Sequence, residues 1–383
     1  MYRAGSLMAL SLRAKVRFLF NCGLSLTAIL TGPGAAHGQT RGARVNPPRA
    51  CSSTQPATVA SGGAVSGLSA AAGSNDTLYV LYDTRVGTRT TVSLLILSGV
   101  NGSQMEVNTV AVGEGTVGHA SLVLLNNRVL GAYKKQDGRV AIFSHDLTPR
   151  GPVTEVLADA AAMARGVPSV AVVARRAVVA WPGRDGTHVH LLNVDANGQP
   201  SGTVQNIEST ASRLHAAGVF GGAVAGITLA ANATESAAGP VAWINRGRAR
   251  APAAMSAQEV RALSVVASAR NALALSIAGG TARISLLRAA AGTGTERELG
   301  PAQGSGAGVL AATPWGAFAL WASAGNLTIQ AIGQTGTALG VGFPAGRFGG
   351  SAQEAFSAVT LGSSVYGFWG ETGAVKMLRI TCF

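Results

Sequence analysis

Residues 119–147, HASLVLLNNRVLGAYKKQDGRVAIFSHDL, and residues 167–195, VPSVAVVARRAVVAWPGRDGTHVHLLNVD, follow one plan. An apolar strand opens with a small residue, a second strand ends in an aromatic, and a glycine-containing turn leads into a third, alternating strand. The small residue recurs as Gly67, Ser121, Ser169, Gly218, Ser264, Gly308 and Ser357, at steps of 54, 48, 49, 46, 44 and 49 residues. Twelve to fifteen residues after most of them stands an aromatic: Tyr82, Tyr133, Trp181, Trp321 and Trp369. The fourth and fifth units depart, with Ala230 and Ser276 at that offset, and Trp243 falls on the following strand. Such a period binds the chain to one repeated supersecondary unit instead of two or three unrelated domains.

Asp137-Gly138 and Asp185-Gly186 supply hairpin turns between second and third strands. Glycine and β-branched residues are spread throughout, and alternation prevails over a 3.6-residue period, which argues against helices. A period of about 45 to 50 residues holding four short strands resembles the β-propeller superfamily over residues 51–383. A β-sandwich with coincidental spacing is the competing all-β reading. The resemblance rests on repeat length and strand pattern. The Trp-Asp dipeptide of WD repeats, the paired glycines of kelch repeats and the Ser-x-Asp-x-Gly-x-x-Trp box of sialidases are missing, so no characterised subfamily is implied. Within the resemblance, small residues suit inner strands crowding a central channel, and aromatics suit the wedge between packed blades.

The seventh unit ends one strand short, at KMLRITCF, while CSSTQPATVAS at 51–61 precedes the first unit like an orphan outer strand. Pairing the two completes a blade and predicts an all-β, seven-bladed propeller of four-stranded blades. The N-terminal strand would close the ring, and Cys51 and Cys382 would lie across one antiparallel pair. The cysteine count agrees. The chain has three cysteines, and Cys22 falls in a segment that reads as a secretory leader, so an exported chain keeps two and they are expected to form a disulfide.

The leader reading covers 1–38: Arg3, Arg13, Lys15 and Arg17, then the apolar FLFNCGLSLTAIL, then small residues to Gly38. The apolar run falls short of the ~20 residues a membrane-spanning helix needs. No other segment is long and apolar enough to span a membrane as a helix. Residues 39–50 read as a flexible lead-in, and 51–383 as a single domain in a secreted or periplasmic protein, expected to be monomeric. The formal charge of +13 becomes 13 − 4 = +9 without the leader. Arginine carries it, scattered without a run of like charges, so nucleic acid is not an expected partner. The Ala- and Gly-heavy composition fits a GC-rich bacterial genome.

In propellers, ligands sit on the face that carries the second-to-third-strand turns and the loops into each inner strand, an analogy at the level of fold. The resemblance gathers there Arg85, Arg89, Lys134, Lys135, Arg139, Arg165, Arg184, Arg213, Arg261 and Arg347. Such a basic rim would attract a protein or glycan of acidic character, although solvated loop arginines are the plainer reading. His188 and His190 point to one side of a strand, with Asp185, His145 and Asp195 as neighbours in the repeat. Such pairs are more often structural, and no metal or other cofactor is expected. Nucleophile elbows, zinc-protease and phosphate-loop motifs are absent. Glycoside cleavage needs paired carboxylates, for which Asp83, Glu114, Asp159, Glu259, Glu354 and Glu371 are candidates. The expectation is a binding module. A glycan-acting hydrolase or lyase on the same scaffold is the alternative, and a structural envelope component is a third class. Cleavage of the leader predicts that N-terminal sequencing of the exported protein begins at Gln39; a chain beginning at residue 1 or 2 would remove the leader reading.

Overall fold

The computed structural model describes Pro48 and residues 50–383, apart from 103, 149–150, 174–175, 209–210, 222–223, 234–240, 246–252, 255–259, 268–270, 289–291, 294–295, 303–305 and 351. Between 211 and 261 the description is of the backbone, His215 excepted. The expected leader, and the lead-in other than Pro48 and Ala50, lie outside the described residues.

The chain runs as antiparallel meanders, one per repeat unit: 68–114, 122–157, 169–208, 211–254, 260–301, 308–347, and 356–382 joined by 51–61. In the first, Leu68–Ala72, Leu78–Val86, Arg89–Ser98 and Glu106–Glu114 pair in sequence order. Strand alternation gives each sheet two faces, and each face packs on a neighbouring unit. In the strand Asn271–Ala278, Leu273, Leu275 and Ile277 join Leu310, Ala319 and Trp321 of unit six. Ala272, Ala274 and Ala278 join a second core on the opposite face. Buried cores of the first kind fill the seams of units seven and one, one and two, two and three, five and six, and six and seven.

The blade count is a correction. Six blades, not seven, are described with their side-chain packing. Unit four, 211–254, forms a sheet described by its backbone ladder alone, and no core is described for it. The expected four strands per blade hold, with the outer position of units five and seven divided between two short strands. A repeat period reports strand length and turn spacing but does not report packing, and unit four is one of the two that lack the wedge aromatic at the expected offset. The other unit, five, places Ser276 there, buried, with its hydroxyl unpartnered. Trp243 lies on Val241–Asn245, the third strand of its sheet. Where the aromatic is present, Tyr82, Tyr133, Trp181, Trp321 and Trp369 are all buried. Trp181 Nε1 donates to Ala162 O (2.9 Å) and Trp321 Nε1 to Pro301 O (3.0 Å), each the carbonyl of a segment entering the next unit.

The small residues on the inner strands act as joints. Leu122 N donates to Ser69 Oγ (3.1 Å), Leu310 N to Ser264 Oγ (3.0 Å) and Ala70 N to Ser357 Oγ (3.0 Å), while Ser121 Oγ donates to Pro168 O (2.7 Å). Each joins one unit to the next. At Gly67 no side chain fits, since a Cβ would lie 1.8 Å from Val117 O. That closeness is enforced by Asp83, whose carboxylate accepts from Ser66 N (2.9 Å), Ser66 Oγ (2.7 Å), Gly67 N (3.0 Å) and Val117 N (2.9 Å). It is fully enclosed, and loss of solvent pushes its pKa up, the four donors opposing that shift.

The final sheet takes its outer strand from the start of the chain. Cys51–Ser53 and Ala57–Ser61 both pair antiparallel with Ala374–Cys382, placing Cys51 opposite Cys382 and Ala57 opposite Met377. The two cysteines form a disulfide, 331 residues apart in sequence. Removing it with Cys382→Ser should cost about 2 to 5 kcal/mol, read as a lowered Tm; free thiols in non-reducing mass spectrometry of the wild type would contradict the bond. Asp83→Ala leaves three backbone N–H groups and a hydroxyl without an acceptor. It should lower unfolding stability by about 3 kcal/mol or more, measured as a shift in urea midpoint, whereas a shift below about 0.5 kcal/mol would show that the enclosure relaxes.

Candidate functional site

Turns between second and third strands and loops into the inner strands share one face of the ring. The loop at 162–165 is wedged there between two turns. Ala164 N donates to Gly138 O (2.7 Å), Arg165 N to Pro182 O (2.9 Å) and Arg184 N to Met163 O (2.9 Å). This brings three expected site residues together. Lys134 Nζ donates to Arg165 O (3.0 Å), Arg165 Nη1 lies 3.1 Å from where a Gly186 Cβ would stand, and Arg184 Nη1 is 3.3 Å from Met163 Sδ. Gly186 has φ +70°, a left-handed turn conformation that also leaves this opening. Among the described residues, none of the three cations has a carboxylate within ion-pair distance.

The other basic residues are placed differently. Lys135 pairs with Glu155 (2.8 Å), which also takes the hydroxyl hydrogen of buried Tyr133; desolvation and this carboxylate raise the tyrosine's pKa. Arg139 is paired with Asp137 (2.6 Å) and Arg89 with Glu114, so their charge is locally spent. Arg85 turns back on Gly87 O (3.1 Å) in its hairpin. Arg347 ends Ala338–Arg347 opposite Asn326, exposed. Arg213 lies opposite Asn232, and Arg261 at a register shift between Val260 and Ala262.

The histidine pair on His188–Val194 is divided between two partners. His188 Nδ1 is 2.6 Å from Asp185 Oδ2, and this contact holds the Asp185 carboxyl well below the usual range. His190 Nδ1 is 2.8 Å from Asn206 Oδ1, and its ring packs on Trp181 at 5.5 Å. Asp195 is occupied in its own turn, accepting from Asn197 N and Gln199 N. His145 is fully buried in the strand Val140–Asp146, and desolvation lowers its pKa. Among the described residues no group of three or more His, Cys, Asp or Glu is placed to hold a metal.

Of the candidate carboxylates, Asp83 is enclosed, Glu114 is paired with Arg89, and Asp159 accepts from Ala161 N in a turn. Glu371 accepts from Trp369 Nε1 (2.8 Å), and Glu259 lies outside the described residues. Glu354 is different: it contacts His119, which in turn contacts His215. Its Oε2 is 3.2 Å from His119 Nδ1 and accepts from His119 N (3.3 Å). His119 Nε2 is 2.8 Å from His215 Nδ1, which also accepts from Val265 N (3.2 Å). Beside them, Gln353 spans Gly308 N (2.8 Å), Gly308 O (2.9 Å) and Leu263 O (3.4 Å). Neither histidine was anticipated as a site residue. A signal was present: His215 and Glu354 each stand three residues before a recurrent small residue, Gly218 and Ser357, and His119 stands two before Ser121. Those positions enter the inner strands and so converge on the axis.

Among solved structures the chain is similar to an oligogalacturonate lyase in complex with manganese, with 14% identity, 88% of this chain and 97% of that chain covered, and a TM-score of 0.50. It is also similar to the Dos1 propeller, with 11% identity, 86% and 95% covered, and a TM-score of 0.48. A mutant of AofleA from Arthrobotrys oligospora gives 9% identity, 82% and 95% covered, and a TM-score of 0.48. No protein-family model matches the chain, and no curated protein matches it. At such identities the likeness concerns fold alone. With the ring of small antiparallel sheets it defines a β-propeller, without a characterised subfamily.

Proposed function

We propose that this chain is an exported propeller that binds an anionic partner, an acidic glycan or an acidic protein surface, at the seam between units two and three. The observation that carries this reading is the convergence of Lys134, Arg165 and Arg184 on one wedged loop without a neutralising carboxylate among the described residues. Three such cations create a local positive field that fixed backbone hydrogen bonds hold in place, and carboxylate or sulfate groups are its complement. The disulfide suits an oxidising compartment. The cleavage alternative asks for two carboxylates facing one another across a bound sugar. Among the described residues, Asp83 is enclosed by four donors and Glu354 faces an imidazole, so binding is the better supported activity.

Sulfated and carboxylated polysaccharides serve as probes. Binding should weaken steeply between about 50 and about 200 mM salt. Replacing Lys134, Arg165 and Arg184 together by alanine should weaken it about tenfold or more, ~1.4 kcal/mol. Arg139→Ala, which removes a cation already paired with Asp137, should change it little. Binding insensitive to salt, or equal loss in both variants, would dismiss this seam as the site.

A further inference from the structure

The His119–His215–Glu354 cluster plays no part in that binding reading. It joins loop 115–121 of unit two, the inner strand Ala211–Gly221 of unit four and the turn Gln353–Ala355 before unit seven. Hydrogen-bond complementarity assigns its protons. His215 Nδ1 receives the Val265 N–H, so it carries no hydrogen, and the 2.8 Å contact must be a donation from His119 Nε2. His119 Nδ1 faces the Glu354 carboxylate at 3.2 Å. His215 Nδ1 is therefore the acceptor on which the contact depends.

We propose that this contact is an acid-opened tie between the entrances to units two, four and seven, in which a proton gained by His215 Nδ1 replaces a hydrogen bond with two opposed N–H groups. Protonating His215 at Nδ1 removes the acceptor for both His119 Nε2 and Val265 N, and sets N–H groups against one another across rings 4.7 Å apart. Loop 115–121 then loses its hold on unit four. The geometry excludes a chelate instead: Glu354 meets His119 at Nδ1 and His215 meets it at Nε2, on opposite sides of one ring.

The sign follows from the groups that face His215. Desolvation first, then the charge of His119, pull its pKa well below the ordinary histidine value, with the Leu263 backbone opposing. The closed state therefore refuses a proton that the open state takes, and closure weakens as the pH falls below about 6.5. Glu354 and the neutral Gln353 complete the surroundings from the unit-seven side. On the unit-one side Asp83 holds Val117 in the same loop, with its own pKa raised by burial. His145, buried on the strand Val140–Asp146, also has its pKa lowered, so it is the necessary control.

Hydrogen exchange of the full chain, corrected for intrinsic pH dependence, tests the tie. In the wild type, protection of loop 115–121 and of Val265 should fall about tenfold or more between about pH 7 and about pH 5, while the inner strand Gly308–Thr313 stays protected. His215→Asn should abolish this response, and His145→Phe should leave it intact. Protection that does not change with pH in the wild type would overturn the proposal. A response that survives in His215→Asn would assign it to Asp83 and overturn it, and a response lost in His145→Phe would do the same. Should His215→Asn fail to fold, His119→Gln removes the other imidazole and must likewise flatten the response.

Discussion

Every sheet but one in this ring completes itself from consecutive residues. The last cannot, and the pairing of 51–61 with Ala374–Cys382 is the constraint on which the remainder depends. Without it, that strand would present an open edge, and the seams on either side of unit seven would lose a wall. Those seams hold Phe348, Phe356 and Trp369 on one side and Tyr366, Phe368 and Met377 on the other, all buried. The closure joins residues more than three hundred positions apart, so its entropic cost falls late in folding, and the covalent bond offsets that cost by restricting the unfolded chain.

The architecture was largely legible in the sequence because it is periodic. The recurrence of Gly67, Ser121, Ser169 and their successors marks inner strands, and the structure gives the reason: serine hydroxyls receive the backbone of the adjoining unit, and Gly67 has no room for a Cβ. The aromatics mark the seams, and they are buried where expected. The cysteine pairing was legible because a missing strand at one end matched a surplus strand at the other. The blade count was less so. Unit four was counted from spacing alone, without the aromatic that marks most of the other units.

The candidate site was legible in charge but not in charge balance. Ten basic residues were assigned to one face, yet Asp137 spends Arg139 and Glu155 spends Lys135, leaving Lys134, Arg165 and Arg184 as the unpaired remainder of one seam among the described residues. That partition depends on side chains one or two ångströms nearer or farther, which no spacing rule resolves. The histidine tie was hidden for another reason. His119 lies 96 residues from His215 and 235 from Glu354, and only a closed ring brings such positions to a common axis.

The closing strand is interrupted. Cys51–Ser53 and Ala57–Ser61 pair separately with the C-terminal strand, and between them Thr54 N still donates to Arg379 O (3.0 Å) just ahead of Pro56, which has no N–H to give. The disulfide belongs to the shorter piece. A reductant would therefore leave three residues at the rim held by backbone pairing alone, while the five-residue ladder still grips Met377 and Lys376. Redox conditions around the protein would then tune how stiffly the ring is held, while the ladder alone decides whether there is a ring.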